Sequence, residues 1–163
     1  MAVNAADPAG LSRPVDSATL FSTPLFDLKD QAANLNAYRG KPLIINFWAR
    51  WCGPCKVEIP ALITLKKRNL GVEVIGLNVE RNAEAVRDFA YAYDINYPVY
   101  LTHEAGLNVL QSLGNQKMGL PFTVAINARG EVVSSHLGLI STEQLDAAAR
   151  LATSTTAKRP PPQ

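Results

Sequence analysis

Hydrophobic and polar positions alternate in blocks along the chain, and these blocks predict a regular succession of strands and helices. Two segments are continuously apolar, as strands buried on both faces of a sheet usually are. Two others repeat apolar residues every three to four positions, which is the period of a helix packed on one side. The predicted strands are 43–49 and 72–79, and the helices that follow them are 52–69 and 82–93.

The second half of the chain predicts shorter elements. They are an extended piece at 97–101, a short helix at 104–113, two strands within 121–138 and a final helix at 141–152. The turn sequence from Asn127 to Gly130 favours a β-hairpin between the two strands. Ser141 lies where a side chain can cap the last helix.

The order of these elements predicts an α/β fold. Two parallel β-α-β steps followed by an antiparallel hairpin give a central mixed β-sheet with helices on both faces. Residues 24–152 are predicted to form one domain. Residues 1–23 are rich in small and polar residues and predict a flexible leader or linker. Residues 153–163 contain three consecutive prolines and predict a disordered tail.

Composition narrows the class of protein. Hydrophobic residues make up 47% of the chain, and the net charge is only +2. The basic residues are scattered apart from 66–68, which a solvent-facing helix explains better than nucleic-acid binding. No apolar run reaches the roughly 18–20 residues of a membrane-spanning helix. Residues 1–10 show no signal-peptide pattern, so the chain is either cytosolic or lacks a leader or anchor that the full protein carries.

The two cysteines of the chain, Cys52 and Cys55, carry its clearest chemistry. Such a pair can be half of a zinc site, two inert core thiols or a redox couple. A zinc site needs further ligands, but there is no second cysteine pair, and His103 and His136 are too far apart in sequence for a zinc finger. Each histidine is predicted to be a surface or packing residue. The pair also starts a helix directly after a strand, which inert thiols do not require.

That position suits thiol chemistry. A helix N-terminus stabilises an anion, so it favours the Cys52 thiolate, the form that attacks a disulfide. Gly53 permits a tight turn, and Pro54 suits a first helical position, where its missing amide costs nothing. Cys55 lies nearly one turn later, within reach of a mixed disulfide. We therefore predict an exposed attacking Cys52 and a more buried resolving Cys55.

The stretch NFWARWCGPCK, with Pro60 in the following helix, resembles the active site of the thioredoxin superfamily. The resemblance covers roughly residues 25–152 and implies a thioredoxin-like fold. A second mark is GLPFTVAIN, in which Leu120 and Pro121 match the family's cis-proline loop. The resemblance implies that this loop faces the cysteines and that the Leu120 backbone pairs with a bound substrate chain.

Two positions depart from ordinary thioredoxins. Asn46 stands where those proteins have a buried aspartate, and it cannot titrate. Glu58 falls on the same helical face as Cys55. Helix geometry leaves two readings of Glu58 about even, a partly buried proton-transfer group and an exposed helix glutamate.

A closer resemblance is to the TlpA/ResA type of thioredoxin-like protein. It rests on Glu58, on the lead-in NLNAYRGKPLIINFWARWC, and on a central strand-helix insert within 83–117. These are extracytoplasmic, usually membrane-anchored bacterial proteins, in which the glutamate tunes the cysteine pair. The resemblance implies a periplasmic or otherwise extracytoplasmic reductant of apocytochrome c thiols (cytochrome c maturation) or of copper-site cysteines.

The same resemblance implies the partners. They are proteins with disulfides or thiols and an upstream membrane electron donor such as a DsbD/CcdA-like protein, with no nucleic acid and no cofactor. Trp51 is predicted to form an apolar docking surface beside Cys52. Two alternatives stay open: a metallochaperone module that binds Cu(I) through both thiolates, and a general cytosolic thioredoxin.

Overall fold

The protein is described here by a computed structural model covering residues 15–154. Within that range the helices are α1 (Ala18–Ser22), α2 (Gly53–Arg68), α3 (Ala83–Ala92), α4 (Gly106–Ser112) and α5 (Thr142–Thr153). The strands are β1 (Leu25–Phe26), β2 (Ala32–Ala33), β3 (Leu43–Trp48), β4 (Glu73–Asn78), β5 (Val99–Leu101), β6 (Phe122–Ile126) and β7 (Val132–Leu137). Single 3-10 turns lie at Asn36–Tyr38 and His103–Ala105.

All of these strands form one mixed sheet in the order β2-β1-β5-β4-β3-β6-β7. Strands β3, β4 and β5 run parallel, as two β-α-β steps require. Strand β6 runs antiparallel to β3, and β7 runs antiparallel to β6. The predicted mixed sheet and its terminal hairpin are therefore confirmed.

Strand β3 lies in the middle of the domain and is buried along its whole length. Its side chains alternate between two hydrophobic cores because successive residues of a strand point to opposite faces. Leu43, Ile45 and Phe47 enter one core, with residues of α1 and α4. Ile44 and Trp48 enter the other, with residues of α2, α3 and α5. Helices thus cover both faces of the sheet, as predicted.

The carboxyl end of β3 defines one edge of the molecule. The strand ends at Trp48, and α2 begins shortly afterwards at Gly53. Strand β6 pairs Phe122 with Phe47. This antiparallel register brings Pro121, the residue before β6, level with Trp48. The cysteine segment and the predicted cis-proline segment therefore meet at the same edge.

The central insert is present in a slightly different form from the one predicted. The helix expected at 104–113 is a 3-10 turn followed by α4. Strands β1 and β2 were not predicted, and they extend the sheet by pairing β1 antiparallel to β5. Each has only two residues, which is too short to show a strand period.

The prediction of a flexible leader over 1–23 is wrong for the described residues 17–23. Here the chain forms α1, whose Leu20 and Phe21 are buried in the core shared with α4. The Ser17 hydroxyl also donates a hydrogen bond to the Gly130 carbonyl at 2.6 Å. The helix was not predicted because its two large apolar residues stand among small and polar ones, so the segment as a whole has the composition of a linker. The rest of the predicted leader and most of the predicted tail, 1–14 and 155–163, lie outside the described residues.

No helix in the described part of the chain has both the length and the apolar character needed to cross a bilayer.

We expect Leu20→Ala to reduce the free energy of unfolding by about 2–5 kcal/mol, because it empties a fully buried site. Urea denaturation followed by circular dichroism measures the change. Ser22→Ala, at an exposed position of the same helix, is the matched control and should change stability by less than about 0.5 kcal/mol. If Leu20→Ala had no effect, α1 would not be part of the folded domain.

Candidate active site

The two cysteines form a disulfide at the amino end of α2. Cys52 is the N-cap residue, and its Sγ accepts a hydrogen bond from the Cys55 amide at 3.3 Å. The two Cα atoms are 5.3 Å apart. Gly53 occupies the first helical position and Pro54 the second, one later than predicted for the proline. Both positions belong to the first turn, where backbone amides have no partner within the helix.

The accessibility of the two sulfur-bearing residues differs in the predicted order, although both are buried. Cys52 is 6% exposed and Cys55 is 1% exposed. The prediction that Cys52 is openly exposed is therefore wrong for the disulfide form. The small exposed fraction at the pair therefore belongs mostly to Cys52, and Cys55 is the inner of the two residues.

An ion pair fixes the loop that leads into Cys52. Glu80 accepts hydrogen bonds from the Arg50 backbone amide at 2.6 Å and from its Nε at 2.9 Å. Asn78 at the end of β4 donates a third bond to Glu80 at 3.1 Å. Glu80 was not predicted as a site residue. It could have been found from its position, because Arg50 and Glu80 follow two neighbouring parallel strands whose carboxyl ends meet at one edge of the sheet.

Glu58 is a buried carboxyl group on the stripe of α2 that also carries Cys55. It is 2% exposed, so the reading of Glu58 as an exposed helix residue is wrong. Its Oε1 accepts a hydrogen bond from Asn46 Nδ2 at 3.1 Å, and its Oε2 accepts one from the Ile140 amide at 2.8 Å. Asn46 Nδ2 also donates to Thr123 Oγ1 at 3.1 Å. Two segments, β3 and the loop after β7, therefore bond the carboxyl group directly, and β6 bonds Asn46 through Thr123.

Burial raises the pKa of Glu58 above its ordinary value, because removal from water disfavours the charged form. The hydrogen bonds from Ile140 and Asn46 oppose this shift, as does the nearby charge of His136. Desolvation is the largest of these effects, so the net direction is upward. The carboxyl is thereby brought closer to the range in which it can exchange a proton near neutral pH.

The Leu120–Pro121 peptide bond is cis, as predicted. Asn115 shapes the preceding loop by donating to the Gly119 carbonyl at 2.9 Å and accepting from the Gly119 amide at 3.3 Å. The Pro121 carbonyl accepts a hydrogen bond from the Gly138 amide at 2.8 Å. Pro121 is buried and Leu120 is half-buried. Asn115 was not predicted as a site residue, because its burial is what sets it apart and the sequence does not show that burial.

Exposed apolar side chains lie on the segments that form the site. Trp51 is 69% exposed and Val57 is 65% exposed, on either side of the cysteines. Leu139, in the loop after β7, is 53% exposed. Trp48 by contrast packs in the core, with its ring centroid 5.4 Å from that of Phe89. The prediction that Trp51 offers an apolar surface therefore agrees with its exposure.

The histidines do not form a metal site with the cysteines. His103 stacks on Phe26, at the β1 end of the sheet, with ring centroids 4.0 Å apart. His136 lies on β7, near the active site, and contacts the Leu139 carbonyl. Among residues 15–154 no group of three or more histidine, cysteine or acidic side chains is arranged to hold a metal ion.

The sequence of the chain is similar to those of known proteins. A family model described as Redoxin matches residues 14–151. The chain is 34% identical over 123 residues to the thiol-disulfide oxidoreductase ResA of Halalkalibacterium halodurans, covering 74% of this chain and 67% of that protein.

Solved structures share the fold. A thiol:disulfide interchange protein of the thioredoxin family from Chlorobium tepidum has a TM-score of 0.68 and 24% identity, covering 86% of this chain and 97% of that one. A secreted disulfide oxidoreductase of Mycobacterium tuberculosis has a TM-score of 0.66 and 19% identity, covering 81% and 97%. These similarities confirm the thioredoxin-like fold predicted from the sequence.

We expect the stability of the protein to fall, relative to that of Glu58→Gln, as the pH rises from about 4 to 8. The folded-state pKa of Glu58 is raised, whereas an unfolded glutamate titrates near 4.3. The protonated carboxyl therefore contributes stability that is complete below about pH 4.3 and is lost as the pH rises through the folded pKa. Urea denaturation of the oxidised protein at several pH values measures this difference.

The control for this experiment is Asp88→Asn, which removes an exposed carboxyl from the middle of α3, away from the helix N-terminus. Its free energy of unfolding should follow that of the unmodified protein across the same pH range. A difference between the unmodified protein and Glu58→Gln that did not change with pH would contradict a raised pKa at Glu58.

Proposed function

The chain belongs to the Redoxin family and is a thiol-disulfide oxidoreductase, and from this premise we propose that it acts mainly as a reductant of disulfides in partner proteins outside the cytoplasm. The observation that carries the proposal is the Cys52–Cys55 pair at a helix N-terminus with the buried Glu58 carboxyl one turn further on. Redox exchange uses the first feature, and proton transfer uses the second.

The reaction begins with the reduced pair. The Cys52 thiolate attacks one sulfur of the client disulfide, which forms a mixed disulfide and releases one client thiolate. Cys55 then loses its proton and attacks Cys52 Sγ, which releases the second client thiolate. Two electrons pass from the dithiol to the client, and the two client thiolates take up the two protons. The enzyme is left as the Cys52–Cys55 disulfide, the form described here.

Glu58 is suited to accept the proton of Cys55. It follows Cys55 by three positions on the same buried stripe of α2, so that both face the same core. Its raised pKa makes it a better proton acceptor than an ordinary exposed carboxylate. The Asn46 amide and the Ile140 amide fix its orientation.

The client chain docks across Trp51 and the cis-proline loop in this proposal. The exposed Trp51 ring provides apolar contact next to Cys52, and the loop at Leu120 and Pro121 provides backbone groups at the same edge. Proline has no amide donor, and the backbone of Leu120 is left to pair with the client chain. Gly53 and Pro54, both exposed, leave the approach to Cys52 uncrowded.

One fold relative is described as a secreted disulfide oxidoreductase, which supports a location outside the cytoplasm, as does the resemblance to the TlpA/ResA type. We place the clients among proteins whose cysteines must be reduced before they receive haem or copper, as in cytochrome c maturation. A DsbD/CcdA-like membrane protein would then return electrons to the pair, and a membrane anchor would hold the domain near it.

The proposal predicts a strongly reducing potential. We expect a value in the range of thioredoxin, about −270 mV, and far below the −120 mV or so of the oxidant DsbA. Equilibration in dithiothreitol or glutathione redox buffers, followed by alkylation and mass spectrometry, measures it. A potential near that of DsbA would make the protein an oxidant. If the reduced protein bound one equivalent of Cu(I) but did not reduce insulin, the metallochaperone alternative would replace this proposal.

Cys55→Ala should accumulate mixed disulfides with its clients, since the Cys52 adduct can no longer be resolved. Affinity purification under non-reducing conditions and mass spectrometry identify the trapped proteins. Cys52→Ala is the matched control and should trap few, because the remaining Cys55 is 1% exposed. Clients confined to the cytosol would refute the extracytoplasmic role, and trapping by Cys52→Ala instead would reverse the assignment of the two thiols.

A further inference from the structure

We propose that His136 is a positioning residue that holds the loop 138–140 against Glu58 and thereby sets how readily this carboxyl group takes up a proton. The inference rests on the proposed function of Glu58, and it adds a residue that neither the cysteine motif nor the cis-proline loop contains. Its basis is a closed ring of contacts around the carboxyl group.

The first half of the ring passes through the loop after β7. His136 Nε2 lies 2.9 Å from the Leu139 carbonyl oxygen. A carbonyl only accepts, so the imidazole carries a proton on Nε2 and donates it. The next residue, Ile140, donates its backbone amide to Glu58 Oε2 at 2.8 Å. The Leu139 carbonyl and the Ile140 amide belong to one peptide unit, so the histidine holds the same peptide whose N–H binds Glu58.

The loop needs such a support because its backbone turns sharply. Gly138 has a φ of +98°, in the region that favours glycine. Its amide is bound to the Pro121 carbonyl at 2.8 Å, which anchors the start of the loop. Leu139 is 53% exposed, so packing does not hold the middle of the loop. The hydrogen bond from His136 takes that role.

The second half of the ring passes through the sheet. Strand pairing places His136 directly opposite Thr123. Thr123 Oγ1 accepts a hydrogen bond from Asn46 Nδ2 at 3.1 Å, and the same amide nitrogen donates to Glu58 Oε1 at 3.1 Å. His136 thus reaches one carboxylate oxygen through the loop, and its strand partner Thr123 belongs to the hydrogen-bond chain that reaches the other.

The charge of His136 acts on Glu58 in addition to the hydrogen bond through the loop. His136 on β7 lowers the pKa of Glu58 against the larger effect of burial. Burial raises the pKa of the Tyr97 phenol, in the segment before β5, and the Glu58 carboxyl adds to that rise. Cys55 lies on the same buried stripe of α2 as Glu58, and as part of a disulfide it does not titrate.

The test is a titration of the Glu58 carboxyl by carbon-13 NMR in the oxidised protein. His136→Gln keeps an N–H donor at similar reach but has no ring charge, whereas His136→Leu has neither. We expect His136→Leu to raise the Glu58 midpoint by about one pH unit, because the lost amide contact stabilises the carboxylate. His136→Gln should raise the midpoint by clearly less than His136→Leu does, because it loses the ring charge but keeps the hydrogen-bond donor.

Three controls make the result decisive. His103→Gln, at the β1 end of the sheet, should leave the Glu58 midpoint unchanged. His136→Ala is a second donor-free variant in case leucine disturbs the strand. An unchanged midpoint in both donor-free variants would overturn the proposal. Equal upward shifts in His136→Gln and His136→Leu would also overturn it, since charge and not the hydrogen bond would then be the cause.

The proposed function is judged by a separate measurement, the pH dependence of Cys52 alkylation in the reduced protein. If Glu58→Gln left that profile unchanged, the proton-transfer role of Glu58 would fail. The NMR titration would still show whether His136 positions the carboxyl. If Glu58→Gln moved the profile while the donor-free variants left the NMR midpoint unchanged, the inference about His136 would fail by itself.

Discussion

One constraint organises the active-site half of the molecule: a carboxyl group buried in an apolar core must keep its hydrogen bonds. Unpaired, it would impose a desolvation cost of several kcal/mol on the fold. Glu58 avoids this cost through an amide side chain from β3 and a backbone amide from the loop after β7. The carboxyl therefore requires α2, the central strand and the terminal hairpin to be in register before it is satisfied. The same contacts fix the orientation of the carboxyl on the stripe of α2 that also carries Cys55.

The position of the cysteine pair depends on the same strand and helix that hold Glu58. Its place follows from β3, which is buried along its length and delivers the chain to the amino end of α2. The bond between Arg50 and Glu80 fixes the connecting loop to the end of β4. Reactivity at Cys52 then comes from the helix terminus, and access comes from the slight exposure that Cys55 lacks. Strand β3, helix α2 and the Arg50–Glu80 contact hold the cysteine segment in place, and the small exposed part of the pair is at Cys52.

What could be predicted from the sequence was local in the chain. The cysteine spacing, the helix after it and the hairpin all depend on residues within a few positions of one another, whereas the cis-proline was predicted from the family resemblance. Helical period placed Glu58 on the correct stripe of α2 but could not show that it is buried. Its surroundings come from distant parts of the chain, since Ile140 is 82 positions away and Thr123 is 77 positions from Asn46. Helix α1 was missed for a related reason. Two apolar residues among polar ones carry no period, and only the distant core shows where they pack.

The amide at Asn46 explains why a single carboxyl can serve here. An aspartate at this position, as in ordinary thioredoxins, would place a second carboxyl about as close to Glu58 as the present 3.1 Å contact. Two carboxylates at that distance cannot both ionise, so they would share a proton and titrate as a pair. Asparagine instead donates to Glu58 and to Thr123 at once and takes up no proton. Glu58 is thereby the group assigned to proton exchange on this stripe of α2. The hydrogen-bond donors around it adjust its pKa, and His136 acts by positioning one of those donors.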